Sequence, residues 1–255
     1  MKRHAVVEKA VGETPLQALE AFRARTGIPR SVPITYAGRL DPMASGKLLL
    51  LIGEECKKKA SYLALDKEYE FEVLFGLASD TGDVLGMPSR TSHVSVAHED
   101  VSSVARSLRG PLTLAYPLYS SRTVGGVPLF RLTRSGASVA PPRITTTIHS
   151  MRCLSTRSLN TDELRGAVRA KLSLLQGGDF RQDEIAARWS EVLTDGGTFA
   201  IAKMRTICSS GTYIRSLAPL LGAKLGTIAL AYSIHRSKIG RYHRMLGIGW
   251  WGKRY

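Results

Sequence analysis

The stretch EYEFEVLFG, residues 68–76, decides the fold class: Tyr69, Phe71, Val73 and Phe75 alternate with Glu68, Glu70 and Glu72. A period of two puts the rings and Val73 on one face and the acids on the other, which is a half-buried antiparallel strand and therefore a sheet protein. Upstream, LLLLIG at 48–53 reads as a buried strand, with a buried helical segment as the other reading of so short a run. Before it, Thr14-Pro15, the apolar stripe Leu16, Leu19 and Phe22, and Gly27 supply the cap, first-turn proline, face and stop of a short helix. Downstream, ASDTGDVLGMPSR at 78–90 is rich in turn residues, 101–108 has a weak helical pattern, and 111–117 reads as a connection. Strands are expected at 144–154 and 199–208, a helix at 180–193, and a last strand or two at 227–242. Tyr213, Ile214, Leu217 and Leu221 keep helical spacing, with Pro219 as an irregularity inside. No repeat or linker divides the chain, so one mixed α/β domain is expected.

With 255 residues the chain can bury a substantial core, and its 36 Lys and Arg against 21 Asp and Glu leave a formal charge of +15. That charge points to a polyanionic partner, with nucleic acid ahead of the rest and salt-dependent binding as the consequence. Three cysteines, Cys56, Cys153 and Cys208, have no paired spacing, so neither a disulfide scaffold nor a zinc site is supported. Histidines at 4, 93, 98, 149, 235 and 243 lack ligand spacing, and no metal is expected. The longest aliphatic run, Leu48–Ile52, is too short to span a bilayer, so a soluble, cytoplasmic protein without membrane contact is expected.

Chemistry centres on TYAGRLDPMASG at 35–46, where Asp41 sits between Arg39 and Pro42, with glycines at 38 and 46. Taken alone, Asp41-Pro42 is an ordinary turn. Read together with KEYEF at 67–71 and SSGTYIRSL at 209–217, it resembles the catalytic loop G-x-L-D-P-x-A-x-G of the TruB family of RNA pseudouridine synthases. EKAVGETPLQAL, SDTGD and PLYSSRTVGGVPLF are similar to three further family segments, and the resemblance runs from about residue 6 to about residue 242.

The resemblance implies an α+β pseudouridine synthase fold, with a mixed, largely antiparallel central sheet, flanking helices and loops, and a cleft at Asp41. It implies catalytic roles for Asp41, for Arg215 as the partner of that carboxylate, and for Tyr213. Tyr69 would stack on the target uracil and Ile234 would line the base pocket, with Tyr36, Arg39, Lys67 and Arg122 as further RNA-contacting candidates. No cofactor is implied. The physical reasons stand beside the likeness: a neighbouring guanidinium keeps a carboxylate ionised and aimed, and a base inside folded RNA must be flipped out and held before a side chain reaches it.

The sequence also departs from the family. Tyr36 stands where bacterial members have histidine, Thr123 replaces a lysine whose charge Arg122 restores, and Phe130 replaces a tyrosine. Residues 1–242 are expected to form the catalytic domain, with a mobile basic RNA-contacting loop at 117–143. Residues 243–255 are expected to form a short tail in place of the family's PUA domain, with Trp250 and Trp251 packed or stacking on RNA. GIGWWG at 247–252 matches a dinucleotide motif but opens no helix, and is rejected. Lys57, Lys58 and Lys59 read as a solvated end of an element, with phosphate contact second.

The expected activity is isomerisation of a uridine to pseudouridine in RNA by a monomer, with uridine 55 in the T-arm of tRNA as the leading target. A non-catalytic RNA-binding folding or assembly factor on the same scaffold, or a synthase acting on ribosomal RNA, is the alternative.

Overall fold

A computed structural model describes residues 3–90, 95–175, 177, 180–194, 196–245 and 247–255. The chain opens with β1 (His4–Lys9), α1 (Pro15–Thr26), β2 (Ile34–Ala37) and β3 (Ala44–Ile52). A 3₁₀ turn, Gly53–Lys58, leads into α2 (Lys59–Leu63) and β4 (Asp66–Phe75), followed by β5 (Leu77–Ser79), β6 (Pro88–Arg90) and α3 (His98–Ser107). Next come β7 (Gly110–Ala115), β8 (Thr123–Val124), β9 (Val127–Pro128), α4 (Leu129–Arg134) and β10 (Arg143–Asn160). The last part holds α5 (Thr161–Ser173), α6 (Gln182–Val192), β11 (Thr198–Cys208), α7 (Ile214–Lys224), β12 (Ala229–Met245) and β13 (Ile248–Arg254).

Nine strands form one sheet in the order β1-β3-β12-β4-β11-β10-β7, with β2 added on β3 and β13 on β12. The pairings are antiparallel apart from a short parallel contact in which Ile234, His235 and Arg236 lie beside Ala44, Ser45 and Gly46. The expected mixed, largely antiparallel sheet with flanking helices is what the chain forms.

Local chemistry accounts for the elements. The α1 helix starts with a reciprocal box, Gln17 N donating to Thr14 Oγ1 at 3.2 Å and Thr14 N to Gln17 Oε1 at 2.7 Å, and ends on left-handed Gly27. The face of β4 that carries Phe71, Val73 and Phe75 is buried against α7 residues such as Leu217 and Leu221, and Trp189 of α6 lies in the same core. The acids on its other face are matched by cations on other strands of the sheet: Glu70 by Arg205 at 2.7 Å, Glu72 by Arg157 at 3.0 Å, and Glu68 by Lys238 at 2.9 Å. Glu68 is buried by these partners, so β4 is covered more completely than its alternation predicts.

Three segments differ from the sequence reading. Residues 111–117 are not a plain connection, because β7 pairs with β10 there as an edge strand, a position where Pro111 is tolerated. The 117–143 segment contains the β8–β9 hairpin and α4. Residues 248–254 pair with β12, so the segment read as a tail extends the sheet; Leu246 lies outside the described residues.

Candidate active site

Asp41 lies on the loop between β2 and β3, and the local bonds explain its shape. Gly38 has φ +88°, a conformation that favours glycine, Ala44 N donates to the Asp41 carbonyl at 3.0 Å, and Gly12 N donates to the Pro42 carbonyl at 2.9 Å. The Asp41 side chain remains 35% exposed, while the side chain of its partner, Arg215 at the start of α7, is 3% exposed. Arg215 Nε donates to Asp41 Oδ2 at 2.7 Å, Nη1 to the Thr81 carbonyl at 2.7 Å and Nη2 to the Tyr119 carbonyl at 3.1 Å. One guanidinium thus ties the loop, the 79–83 turn and the 117–143 segment to one helix end.

A second carboxylate completes the cluster. Asp83 is buried, lies 3.5 Å from Arg215 Nε, and accepts from Leu85 N at 2.8 Å and from the Thr81 hydroxyl at 3.0 Å. Burial pushes its carboxyl up to about 6, with Arg215 pulling the other way. For Arg215 burial opposes the charge, but the two carboxylates outweigh it and the net shift is upward. Gly82 is required here: a Cβ would lie 2.7 Å from the Arg215 carbonyl, and its φ is +75°.

Arg236, on β12, was not singled out by the sequence reading. It is 1% exposed, and donates from Nε to the Lys47 carbonyl at 2.8 Å, from Nη1 to the Arg39 carbonyl at 3.3 Å and from Nη2 to the Gly38 carbonyl at 3.1 Å. Its partners are the backbone of the Asp41 loop. The signal was present in SIHRSKIG: Arg236 is two residues from buried Ile234, a cation where strand alternation calls for an apolar group. Lys9, likewise missed, is fully buried with its ammonium on the Ala10 and Glu13 carbonyls at 2.7 and 2.8 Å, and burial lowers it to about 8.

A cleft of about 390 Å³ is lined by Asp41, Tyr69, Tyr213, Ile234, Arg236 and their neighbours, among them Tyr36, Arg39 and Lys67. Tyr69 and Ile234 come from adjacent central strands, β4 and β12, and both are largely buried. Burial raises the Tyr69 hydroxyl above its usual range. Tyr213 precedes α7 and meets Tyr116 edge to face at 5.4 Å; burial, then the nearby Asp41 charge, raises its hydroxyl too. Lys67 lines the cleft, but its ammonium is on the Leu63 and Leu65 carbonyls, and burial followed by the Arg236 charge brings it down to about 8. Tyr36 carries Lys59 Nζ over its ring at 5.5 Å. Arg122 is exposed with its guanidinium 5.2 Å from the Tyr116 ring, one aromatic layer behind Tyr213.

Seven of the nine candidates therefore come together around Asp41 as cleft lining; Arg215 stands behind the carboxylate, and Arg122 lies outside the lining. Asp41 also borders a second cavity of about 390 Å³ that reaches Pro15, Phe130 and Phe180. Among the described residues no group of three or more His, Cys, Asp or Glu is placed to hold a metal; His93 lies outside them.

A sequence model of the TruB family pseudouridylate synthases, N-terminal domain, matches residues 29–171. A tRNA pseudouridine synthase B of Caldicellulosiruptor saccharolyticus is 26% identical over 235 residues, covering 92% of this chain and 66% of that protein. One of Azoarcus sp. is 30% identical over 237 residues, covering 93% and 64%. The chain spans just under two thirds of the length of these curated relatives. Among solved structures, a Cbf5-Nop10-Gar1 complex matches with TM-score 0.56 and 16% identity over 93% of this chain and 48% of that one. An archaeal box H/ACA sRNP Nop10-Cbf5 complex matches with TM-score 0.52 and 16% identity, over 93% and 47%. These two support the fold.

Proposed function

Because the chain belongs to the TruB family of pseudouridylate synthases, we propose that it isomerises uridine to pseudouridine in tRNA, at uridine 55 of the T-arm. The observation that carries the proposal is the Asp41–Arg215 pair at 2.7 Å, set at the edge of a cleft with Tyr69 and Ile234. The relatives' names supply the substrate class.

The reaction breaks the bond from ribose C1′ to uracil N1 and makes one from C1′ to C5, while the C5 proton is lost and N1 gains one. Atoms balance without oxidant, reductant or co-substrate. The reaction calls for one carboxylate in reach of the base or the ribose, and Arg215 Nε, donating to Asp41 Oδ2, aims that carboxylate, whether Asp41 attacks the base or removes a ribose proton. A flipped uracil would fit between Tyr69 and Ile234, with stacking on Tyr69 offsetting part of the few kcal/mol that extrusion costs. Arg236, which also lines the cleft, would position the loop by fixing the Gly38 and Arg39 carbonyls.

Pseudouridine mapping of a T-arm stem-loop and of total tRNA, after incubation with the protein and with its Asp41→Asn form, tests this. A single modified site that requires Asp41 is expected, with RNA affinity nearly unchanged by the substitution. Activity of Asp41→Asn near that of the unaltered protein would overturn the catalytic assignment. Tight binding without modification of either RNA would favour the assembly-factor reading.

A further inference from the structure

The strongest feature that the cleft does not absorb is the ribbon made by the end of β12 and β13. Tyr242 pairs with Trp251, His243 with Trp250, and Met245 with Ile248, so the ribbon has two different faces. One turns to the body. Tyr242 meets Trp251 edge to face at 5.3 Å and lies 5.5 Å from the His149 ring, Tyr242 N donates to Asp66 Oδ2 at 2.9 Å, and Arg244 Nη1 reaches the His149 carbonyl at 3.3 Å.

The other face is open. Trp250 and His243 stack with ring centroids 5.7 Å apart and planes at 23°, and Trp250 is 46%, Met245 64% and Ile248 70% exposed. Glycines make room for a ring on each face: a Cβ at Gly252 would be 2.9 Å from His243 Nε2 on the open side, and one at Gly249 would collide with the Tyr242 ring on the side that turns to the body. The ribbon is built to present aromatic faces.

Charge identifies what it presents them to. No Asp or Glu follows residue 195 in the sequence, and the ribbon itself carries Arg241, Arg244, Lys253 and Arg254. Arg244 reaches the His149 carbonyl and Lys253 lies over the Tyr255 ring, but the ribbon still sets cations, and not one acid, around its exposed rings. A self-association surface or an apolar protein dock has no use for that charge, whereas aromatic planes set among cations are what RNA requires, bases for the rings and phosphates for the charges. Geometry connects the ribbon to the cleft: both lie on β12, and His243 is seven residues beyond Arg236, or about 23 Å at a strand's rise. That is a distance which one folded RNA spans.

We propose that the β12–β13 ribbon is a second RNA-contacting surface, which holds the substrate RNA outside the cleft by stacking on Trp250 and by charge. The proposal rests on the RNA-modifying reading of the Asp41 cleft and deepens it.

The test compares Trp250→Ala, Trp250→Phe and Arg241→Gln/Arg254→Gln with the unaltered protein. Each is titrated with a fluorescent T-arm stem-loop carried on full-length tRNA, and with a minimal loop too short to extend past the cleft. Trp250→Ala should weaken full-length binding about tenfold, and Trp250→Phe should recover most of the loss. The arginine pair should lower the slope of log affinity against log salt by between one and two. The minimal loop should bind all variants alike. Equal affinity of all variants for full-length tRNA would overturn the ribbon while leaving the cleft reading standing. So would a concentration-dependent dimer in sedimentation that Trp250→Ala abolishes. Failure of the unaltered protein to bind either RNA would overturn the cleft reading itself, and the ribbon proposal with it.

Discussion

Arg215 and Arg236 are buried to nearly the same degree, at 4% and 1% exposure, and both end at the Asp41 loop. Arg215 faces two carboxylates, Asp41 and Asp83, so its charge is locally outweighed. Arg236 bonds three carbonyl oxygens, and its uncompensated charge contributes to lowering both Lys67 and Lys9. The first arginine aims a functional group; the second fixes the backbone that carries it. One side of the cleft is therefore held by ion pairs and the other by charge–dipole bonds, with a net positive floor beside a carboxylate.

The largest effect should come from breaking the ionic side. Arg215→Met leaves Asp41 and buried Asp83 without their cation, at a cost of about 3–5 kcal/mol. Pseudouridine formation should fall on the order of a thousandfold in single-turnover assays even at temperatures where the variant stays folded. An intact rate would show that the reaction does not need Arg215 beside Asp41.

The carbonyl side is tested next, through Gly46. Its φ is +108°, and a Cβ would lie 2.4 Å from the Arg236 carbonyl, backbone against backbone. Gly46→Ala should lower urea stability by about 3 kcal/mol. Arg236→Met should cost about 2–3 kcal/mol, for carbonyls left without donors. It should also raise the Lys67 ammonium from about 8 toward its ordinary 10.5, which pH-dependent amine labelling would read. A Lys67 titration unmoved by Arg236→Met would show that burial alone sets it, and the two arginines would then be less different than their partners suggest.

The smallest effect sharpens the ionic side. In the folded protein Asp83 holds its proton up to about pH 6, against 3.8 for a free side chain. Its contribution to stability is thus complete below about pH 4 and is lost as pH rises through 6. Stability relative to Asp83→Asn should decline over that window and level off above it. A flat difference would mean that Arg215 already keeps Asp83 ionised.

The sequence showed the elements that carry their own punctuation. α1 was legible from Thr14, Pro15 and Gly27, and β4 from its alternation, because those signals are local. Asp41 and Arg215 are 174 residues apart, and only a resemblance across the chain joined them before the fold did. Arg236 was hidden because its partners are carbonyl groups, which no sequence pattern marks. Lys67 and Arg122 illustrate the converse: a cation in a motif has a type and a place, but whether its head turns to solvent, to a carbonyl or to a ring depends on neighbours from other elements. The ribbon was read as a tail because two glycine-flanked tryptophans look irregular until β12 is laid beside them.

The parallel contact of Ile234, His235 and Arg236 with Ala44, Ser45 and Gly46 brings together segments 190 residues apart, as the Ser45–His235 hydrogen bond spans them. Contacts of that separation form late, since the long loop must close before they reward it. On a ribosome, where the chain emerges from its amino end, β1, β2 and β3 are in hand long before the strand that pins their loop. Asp41 is therefore synthesised early and put in place last, when β12 joins the sheet.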